Sequence, residues 1–388
     1  MAGITTLVIC YYPSMHQVLK IGVWNAALIL LILIAVDVAL RWTQFDEARS
    51  PEIFDPPGYY VTDTELGTTL NKNVPTQRFE FRGASHDIHT NEIGCFDAPV
   101  ELKPGESYML AIGDSFTWGY APLETKWTSH IERRTGIRVL KCGIVGTGTR
   151  HQLARLKRLI SRLPHAPSLV IHLYDTTDFN DDFTFPGYTL IANQRIEDFE
   201  RIRLVDGHRE PLSAARRKDI RNRIINGPRG FFEKHSTLYN IARMGIEVEA
   251  RVERRRLLIE GKKETHLTGK YDFNLQLLDD KSYPHVAREM EAHISRIRAM
   301  HALVRANGGR YVMFHTNSFR LPGDRPLVRR LKAFLDKFDP FLGWMPELDK
   351  YLFDPHWAPE SNAKVADVMI ERLTRNGYLP LKSATPPR

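Results

Sequence analysis

Hydrophobic positions fall into one long unbroken run followed by a series of short ones. From Ile21 to Trp42 (IGVWNAALILLILIAVDVALRW) the chain is apolar almost throughout, most densely at Ala27 to Val36. That matches the about 20 residues a helix needs to cross a bilayer. Asp37 interrupts the run; a carboxylate is costly at mid-bilayer and less so toward a helix end. Pro51 to Pro57 (PEIFDPP) then reads as a stiff stem. Tyr59 to Val100 alternates loosely without a helical stripe and predicts short strands, one near Gln77 to Phe81.

Beyond this prelude, short apolar runs at Tyr108–Ile112, Arg138–Cys142, Ser168–Leu173 and Arg310–His315 read as buried strands. Helical patterns separate them. Lys126–Arg134 is stopped by Gly136, and Leu153, Leu156, Leu159, Ile160 and Leu163 repeat at three and four until Pro164. Further helices are predicted over His285–Asn307, Arg325–Phe338 and Pro359–Arg375, the last with Gly377 just past its end. Strands alternating with helices at these lengths predict an α/β three-layer sandwich around a parallel sheet. Between about Phe183 and Asp280 the rhythm is lost. This basic, helix-prone stretch, including Ala214–Ile225 and Arg251–Lys263, reads as an insertion capping the sheet, its charges a solvated face. The expected organisation is a membrane anchor over 1–42, a stem and β prelude over 43–107, and an α/β domain over 108–378 with the insertion at about 184–280.

Composition adjusts this picture in two places. The formal charge of +8 and pI near 9.3 invite a nucleic-acid partner. An anchored body argues against one, so no nucleic acid is expected. Lys20 precedes the apolar run, and Arg41 and Arg49 follow it among acidic residues, so charge alone does not orient the helix. With no Ala-x-Ala cleavage site after the run, a retained single-pass anchor is favoured over a cleaved signal peptide, with the body on the periplasmic or extracellular side. The three cysteines, Cys10, Cys95 and Cys142, form no metal-binding spacing. Cys95 and Cys142 would share an oxidising compartment, but spacing says nothing of their distance, and no bridge is expected. Neither a cofactor nor a metal is called for.

Gly113-Asp114-Ser115-Phe116-Thr117 directly follows a buried strand. Ligands collect outside the C-terminal ends of strands in open α/β sheets, so Ser115 is either a nucleophile facing that crevice or a simple helix cap. A serine nucleophile needs a base. Phe353-Asp354-Pro355-His356-Trp357 supplies an imidazole and a carboxylate on a loop before the final helix. His151 and His172 lie on an amphipathic helix and inside an apolar strand, where histidine is structural more often than catalytic; His315 ends a strand near the same edge. Gly143, Gly146 and Gly148 have the wrong order for a dinucleotide fingerprint.

Three blocks in this order resemble the SGNH (GDSL-like) hydrolases, and specifically a membrane-anchored member. Gly113-Asp114-Ser115-Phe116-Thr117 is similar to the family's first block, Lys141-Cys142-Gly143-Ile144-Val145-Gly146-Thr147-Gly148-Thr149 to its second, and Asp354-x-His356-Trp357 to the last block of anchored and polysaccharide-acetylating members. Leu66-Gly67 and Thr90–Gly94 are similar to the prelude of such members, which departs at Cys95-Phe96-Asp97. The resemblance spans Thr62 to Tyr378 apart from the insertion. It implies a flavodoxin-like sheet and a triad of Ser115, His356 and Asp354. The implied oxyanion hole is built from the amides of Ser115 and Gly146. The third block normally adds an Asn side chain; here Thr177 occupies that place, and Asn180 is the alternative if the loop is longer. The implied activity is serine-dependent hydrolysis of acyl esters, including those of cell-surface or secreted carbohydrate. A polysaccharide O-acetyltransferase and a catalytically silent glycan-binding protein are the alternatives.

Overall fold

The N-terminal apolar run forms helix α1 (Met15–Leu40) in the computed structural model, which describes residues 15–42, 53–54, 56, 58–63, 65–81, 84–184, 203–205, 208–210, 231–232, 235–246, 249, 284–316, 326–351, 354 and 356–379. Over Leu19–Leu40 the helix is long and apolar enough to cross a membrane, a property signal sequences share, and among the described residues none of its most apolar stretch is buried. The interrupting carboxylate has a local use. Asp37 accepts hydrogen bonds from Ser236 Oγ at 2.9 Å and Leu238 N at 2.8 Å, where the helical residues 237–246 begin, and Arg41 pairs with it at 3.1 Å.

The prelude carries β1 (Ile53–Phe54), β2 (Tyr60–Asp63), β3 (Gly67–Leu70), β4 (Gln77–Phe81) and β5 (Ala84–Ile88), paired antiparallel as β2–β3 and β1–β4–β5. Phe79 and Phe81 alternate inward from β4 and pack with Ile88, Phe96, Trp118 and Tyr120 in a small core of their own.

The main domain runs β6 (Met109–Gly113), α2 (Ser115–Trp118), α3 (Trp127–Thr135), β7 (Val139–Lys141), α4 (Thr149–Arg162), β8 (Leu169–Tyr174) and α5 (Thr177–Thr184). A hairpin of β9 (Arg203–Val205) and β10 (His208–Glu210) follows, then α6 (Pro284–Ala306), β11 (Arg310–His315), α7 (Pro326–Lys337), β12 (Phe341–Trp344) and α8 (Ser361–Arg375). The central sheet has the order β12-β11-β8-β6-β7 and is parallel throughout.

Its strands are apolar on both faces because helices cover both. Leu110 and Ile112 of β6 face the side covered by Leu156 and Leu159 of α4 and Ile297 and Met300 of α6; Met109 and Ala111 face Trp127 and Ile131 of α3 and Val365 and Met369 of α8. Truncating one of these large side chains to alanine costs about 2–5 kcal/mol. From β6 the chain first builds outward to β7, then returns to place β8 on the other side of β6. This reversal opens a crevice at the carboxyl ends of β6 and β8, the usual ligand position in such sheets.

Three expectations need correction. Cys95 and Cys142 form a disulfide across a Cα–Cα distance of 4.7 Å, because the turn before Cys95 packs over the end of β7. Arg155 of α4, itself buried, ties the two sides by donating to Gly94 O at 2.7 Å and Cys142 O at 3.2 Å. The insertion, read as basic and helix-prone, also contains the β9–β10 hairpin. Strand β12 was not foreseen: its four residues include Gly343 and are all half-buried, an edge position that leaves little apolar signal. The predicted helices at 214–225 and 251–263 lie outside the described residues.

Candidate active site

The crevice begins where β6 ends. Gly113 has φ +146°, and a Cβ there would lie 2.5 Å from Leu173 O and 2.3 Å from Thr117 Oγ1, so only glycine lets the chain turn between β8 and α2. Asp114 then caps the short helix α2, its Oδ1 accepting from Phe116 N at 2.9 Å. Ser115 is therefore the first residue of that helix and not its cap, with its Oγ directed toward the last loop of the domain.

His356 meets it there. His356 Nε2 lies 2.7 Å from Ser115 Oγ, and Nδ1 hydrogen-bonds Asp354 Oδ1, which also accepts from His356 N at 3.0 Å. With Nδ1 as donor to the carboxylate, Nε2 is left as acceptor for the serine proton. The imidazole is held by aromatic rings: Tyr120 at 4.5 Å, Phe116 at 4.8 Å and Phe81 of the prelude at 6.0 Å between centroids. Tyr351 braces the same loop, its N donating to His356 O at 3.1 Å and its OH to Tyr120 O at 2.8 Å. The side chains of His356 and Asp354 are 18% and 9% exposed, enough for a substrate to reach the ring while its partner stays dry.

The loop after β7 runs beside Ser115, with Ile144 N donating to Gly113 O at 3.1 Å. Gly146, in the left-handed region at φ +67°, has open space where a side chain would be. Asp182 fixes the far end of this loop from α5. Fully buried, it accepts from Thr149 Oγ1 at 2.6 Å, Arg150 N at 2.7 Å, His293 Nδ1 at 2.6 Å and Arg296 Nη1 at 2.8 Å. Burial alone would push its carboxyl up, but these partners hold it below the usual carboxylate range.

Thr177 reaches the same place, its Oγ1 2.6 Å from Asp175 Oδ1 and 3.3 Å from Asp114 Oδ2. Asn180 lies in α5, but its side chain is outside the described residues. His151 and His172 are buried; His172 bridges Tyr311 and Gln152, and Gln152 in turn holds Thr147 O at 2.8 Å. His315 is fully buried too, its ring tilted against Trp344 with centroids 4.1 Å apart, so it packs the sheet edge instead of lining the crevice.

Sequence reasoning passed over the acids. Asp114, Asp175, Asp178 and Asp182 are each no more than 1% exposed at the carboxyl ends of β6 and β8. Burial and the neighbouring acids raise Asp114 and Asp178 well above the ordinary carboxylate value, and Asp181 is pushed up to about 7. The crowding of Asp175, Asp178, Asp181 and Asp182 into eight residues was the available signal. Among the described residues, no cluster of three or more His, Cys, Asp or Glu is placed to hold a metal ion.

No family model and no curated protein matches the sequence. Among solved structures, the chain is similar to a crystal structure of TesA at 11% identity and a TM-score of 0.33, over 69% of this chain and 99% of that one. A lipolytic protein of the G-D-S-L family from Desulfitobacterium hafniense DCB-2 aligns at 12% identity and 0.34, over 69% and 100%. A carbohydrate esterase family 2 enzyme with a carbohydrate-binding domain, from Corynascus thermopiles, aligns at 10% identity and 0.30, over 76% and 72%. Likeness at this level does not bear on chemistry, which is read from the side chains alone.

Proposed function

We propose that this chain is a membrane-anchored serine esterase of the SGNH type, with Ser115 as nucleophile, His356 as general base and Asp354 as the group that orients it. The observation that carries this reading is the relay from Ser115 Oγ to His356 Nε2 at 2.7 Å and on through Nδ1 to Asp354. Such a chain of hydrogen bonds is what an alcohol needs to become a nucleophile near neutral pH.

In the first half-reaction Ser115 Oγ attacks the ester carbonyl carbon while its proton passes to His356 Nε2. The carbonyl electron pair moves onto oxygen, which the amides of Ser115 and Gly146 stabilise. Collapse expels the alcohol, which takes the proton from His356. Water, activated by the same imidazole, then releases the acid and restores the serine. The Asp354-x-His356-Trp357 order, similar to that of polysaccharide-acetylating members, supports a sugar hydroxyl as an alternative acceptor.

Anchoring is supported by the uncovered apolar surface of α1 and by Asp37, whose carboxylate is used at the membrane-exit end of that helix. The Cys95–Cys142 disulfide supports a body on the oxidising, non-cytoplasmic side. Ser115→Ala is expected to abolish turnover of a short-chain aryl ester while the thermal midpoint stays at the wild-type value; undiminished turnover would overturn the assignment. Product analysis with an acetyl donor, with and without an oligosaccharide, separates hydrolysis from transfer.

A further inference from the structure

The hydroxyl protons around Ser115 can be counted. Ser115 Oγ has one proton and two acceptors in reach, His356 Nε2 at 2.7 Å and Asp114 Oδ2 at 3.3 Å. For attack that proton must lie toward the imidazole, which is also the nearer partner. Thr177 Oγ1 likewise has one proton and two acceptors in reach, Asp175 Oδ1 at 2.6 Å and Asp114 Oδ2 at 3.3 Å. The shorter bond takes it to Asp175, which also accepts from Thr177 N at 2.8 Å and from Thr316 Oγ1. Asp114 Oδ2 is thus left facing two oxygens whose protons point elsewhere. An ionised carboxylate there would set lone pair against lone pair, whereas a carboxylic acid supplies the missing proton. The other oxygen is committed, since Asp114 Oδ1 accepts from Phe116 N at 2.9 Å, and this bond fixes which oxygen faces the nucleophile.

We propose that Asp114 is a neutral carboxylic acid whose Oδ2–H is a catalytic hydrogen-bond donor, to Ser115 Oγ at rest and to the developing oxyanion during attack. It adds a side-chain donor beside Thr177, which stands at the position where the family's third block carries Asn. This rests on Ser115 being the nucleophile. The oxyanion is carried by the carbon that Oγ attacks, so the proposal requires a donor 3.3 Å from Oγ to turn toward that oxygen, and such bonds tighten on approach to the transition state. Asp114 keeps its proton throughout: the Oγ–H bond breaks toward His356 while the Oγ–C bond forms, with no net transfer to or from the carboxyl.

The surroundings favour the neutral form. Asp114 is 1% exposed; Asp175, Asp178 and Asp181 face it from the end of β8 and from α5, His356 lies beyond Ser115 on the loop before α8, and His315 stands at the end of the neighbouring β11. Burial first, then the charges of Asp175 and Asp181, raise its ionisation well above the ordinary carboxylate value. As pH rises through that raised value the donor is lost, and kcat/KM falls.

Asp114→Asn keeps the cap through its amide oxygen and presents an N–H where the acid had its O–H. Asp114→Ala removes the donor. For ester hydrolysis by the full chain in detergent, the Asp114→Asn variant is expected to retain turnover at neutral pH and to lose the alkaline fall in kcat/KM. The alanine variant is expected to lose roughly 100- to 1000-fold. Infrared spectra at neutral pH should show a protonated-carboxyl band that weakens in Asp114→Asn. An asparagine variant with a wild-type thermal midpoint but no more activity than the alanine variant would overturn the proposal, as would an unchanged infrared band. Failure of a fluorophosphonate to label Ser115 in the wild-type chain would instead remove the premise, and the infrared readout, which needs no turnover, tells the two failures apart.

Discussion

Replacing Asp182 with alanine is expected to be among the most destabilising single changes outside the apolar core. The carboxylate is fully buried and accepts four hydrogen bonds at 2.6–2.8 Å, two of them from His293 and Arg296. Arg296 keeps Glu289 as a partner at 2.7 Å, so the loss is not total for that side chain. His293 Nδ1 falls back on Thr149 Oγ1 at 3.2 Å, and Arg150 N at the start of α4 loses its side-chain acceptor. Removing one partner from a buried, hydrogen-bonded charge group costs about 3–5 kcal/mol. For a domain of this size that is a fall in thermal midpoint on the order of 10 °C. The sign with pH follows from the lowered ionisation of Asp182. A carboxyl whose folded value lies below its unfolded one contributes stability that is present above the unfolded value, near 4, and is lost as pH falls through the folded value. The gap between wild type and Asp182→Ala should therefore be full at neutral pH and close in acid. Thermal unfolding followed by circular dichroism between neutral pH and the acid range measures both. A loss below about 1 kcal/mol, or a gap that widens in acid, would refute the reasoning.

Other outcomes follow from the same contacts. Of three cysteines, two are bridged, so the unfolded unreduced chain should titrate one thiol and the reduced chain three. Cys95→Ser opens a loop of sequence separation 47 and should lower stability by about 4 kcal/mol by loop-closure entropy, read by denaturant unfolding. Asp37→Ala removes the acceptor of Ser236 Oγ and Leu238 N, so limited proteolysis should cut within 231–246 faster than in wild type, with ester turnover unchanged.

The alternating pattern made the central domain legible because a parallel sheet buried on both faces leaves continuous apolar runs, and β6, β8 and β11 appear within a residue of their predicted limits. The meeting of Ser115 with His356 was readable only as a resemblance, since 241 residues separate them and periodicity carries no information about contact across the sheet edge. Pairings that depend on how the prelude packs were not legible. Cys95 meets Cys142, and Asp97, where the prelude departs from the family pattern, neutralises the buried Lys141 at 3.0 Å and Arg138 at 2.9 Å. Nor could sequence alone show that Asp114 touches both Ser115 and Thr177, because that depends on the register of β6 against β8.

The central claim is that Ser115 is activated by His356. Treatment of the wild-type chain with a fluorophosphonate, followed by peptide mass mapping, should place a single adduct on Ser115, with labelling lost in His356→Ala although the serine remains. An adduct elsewhere, or labelling of Ser115 at the wild-type rate without the imidazole, would contradict it.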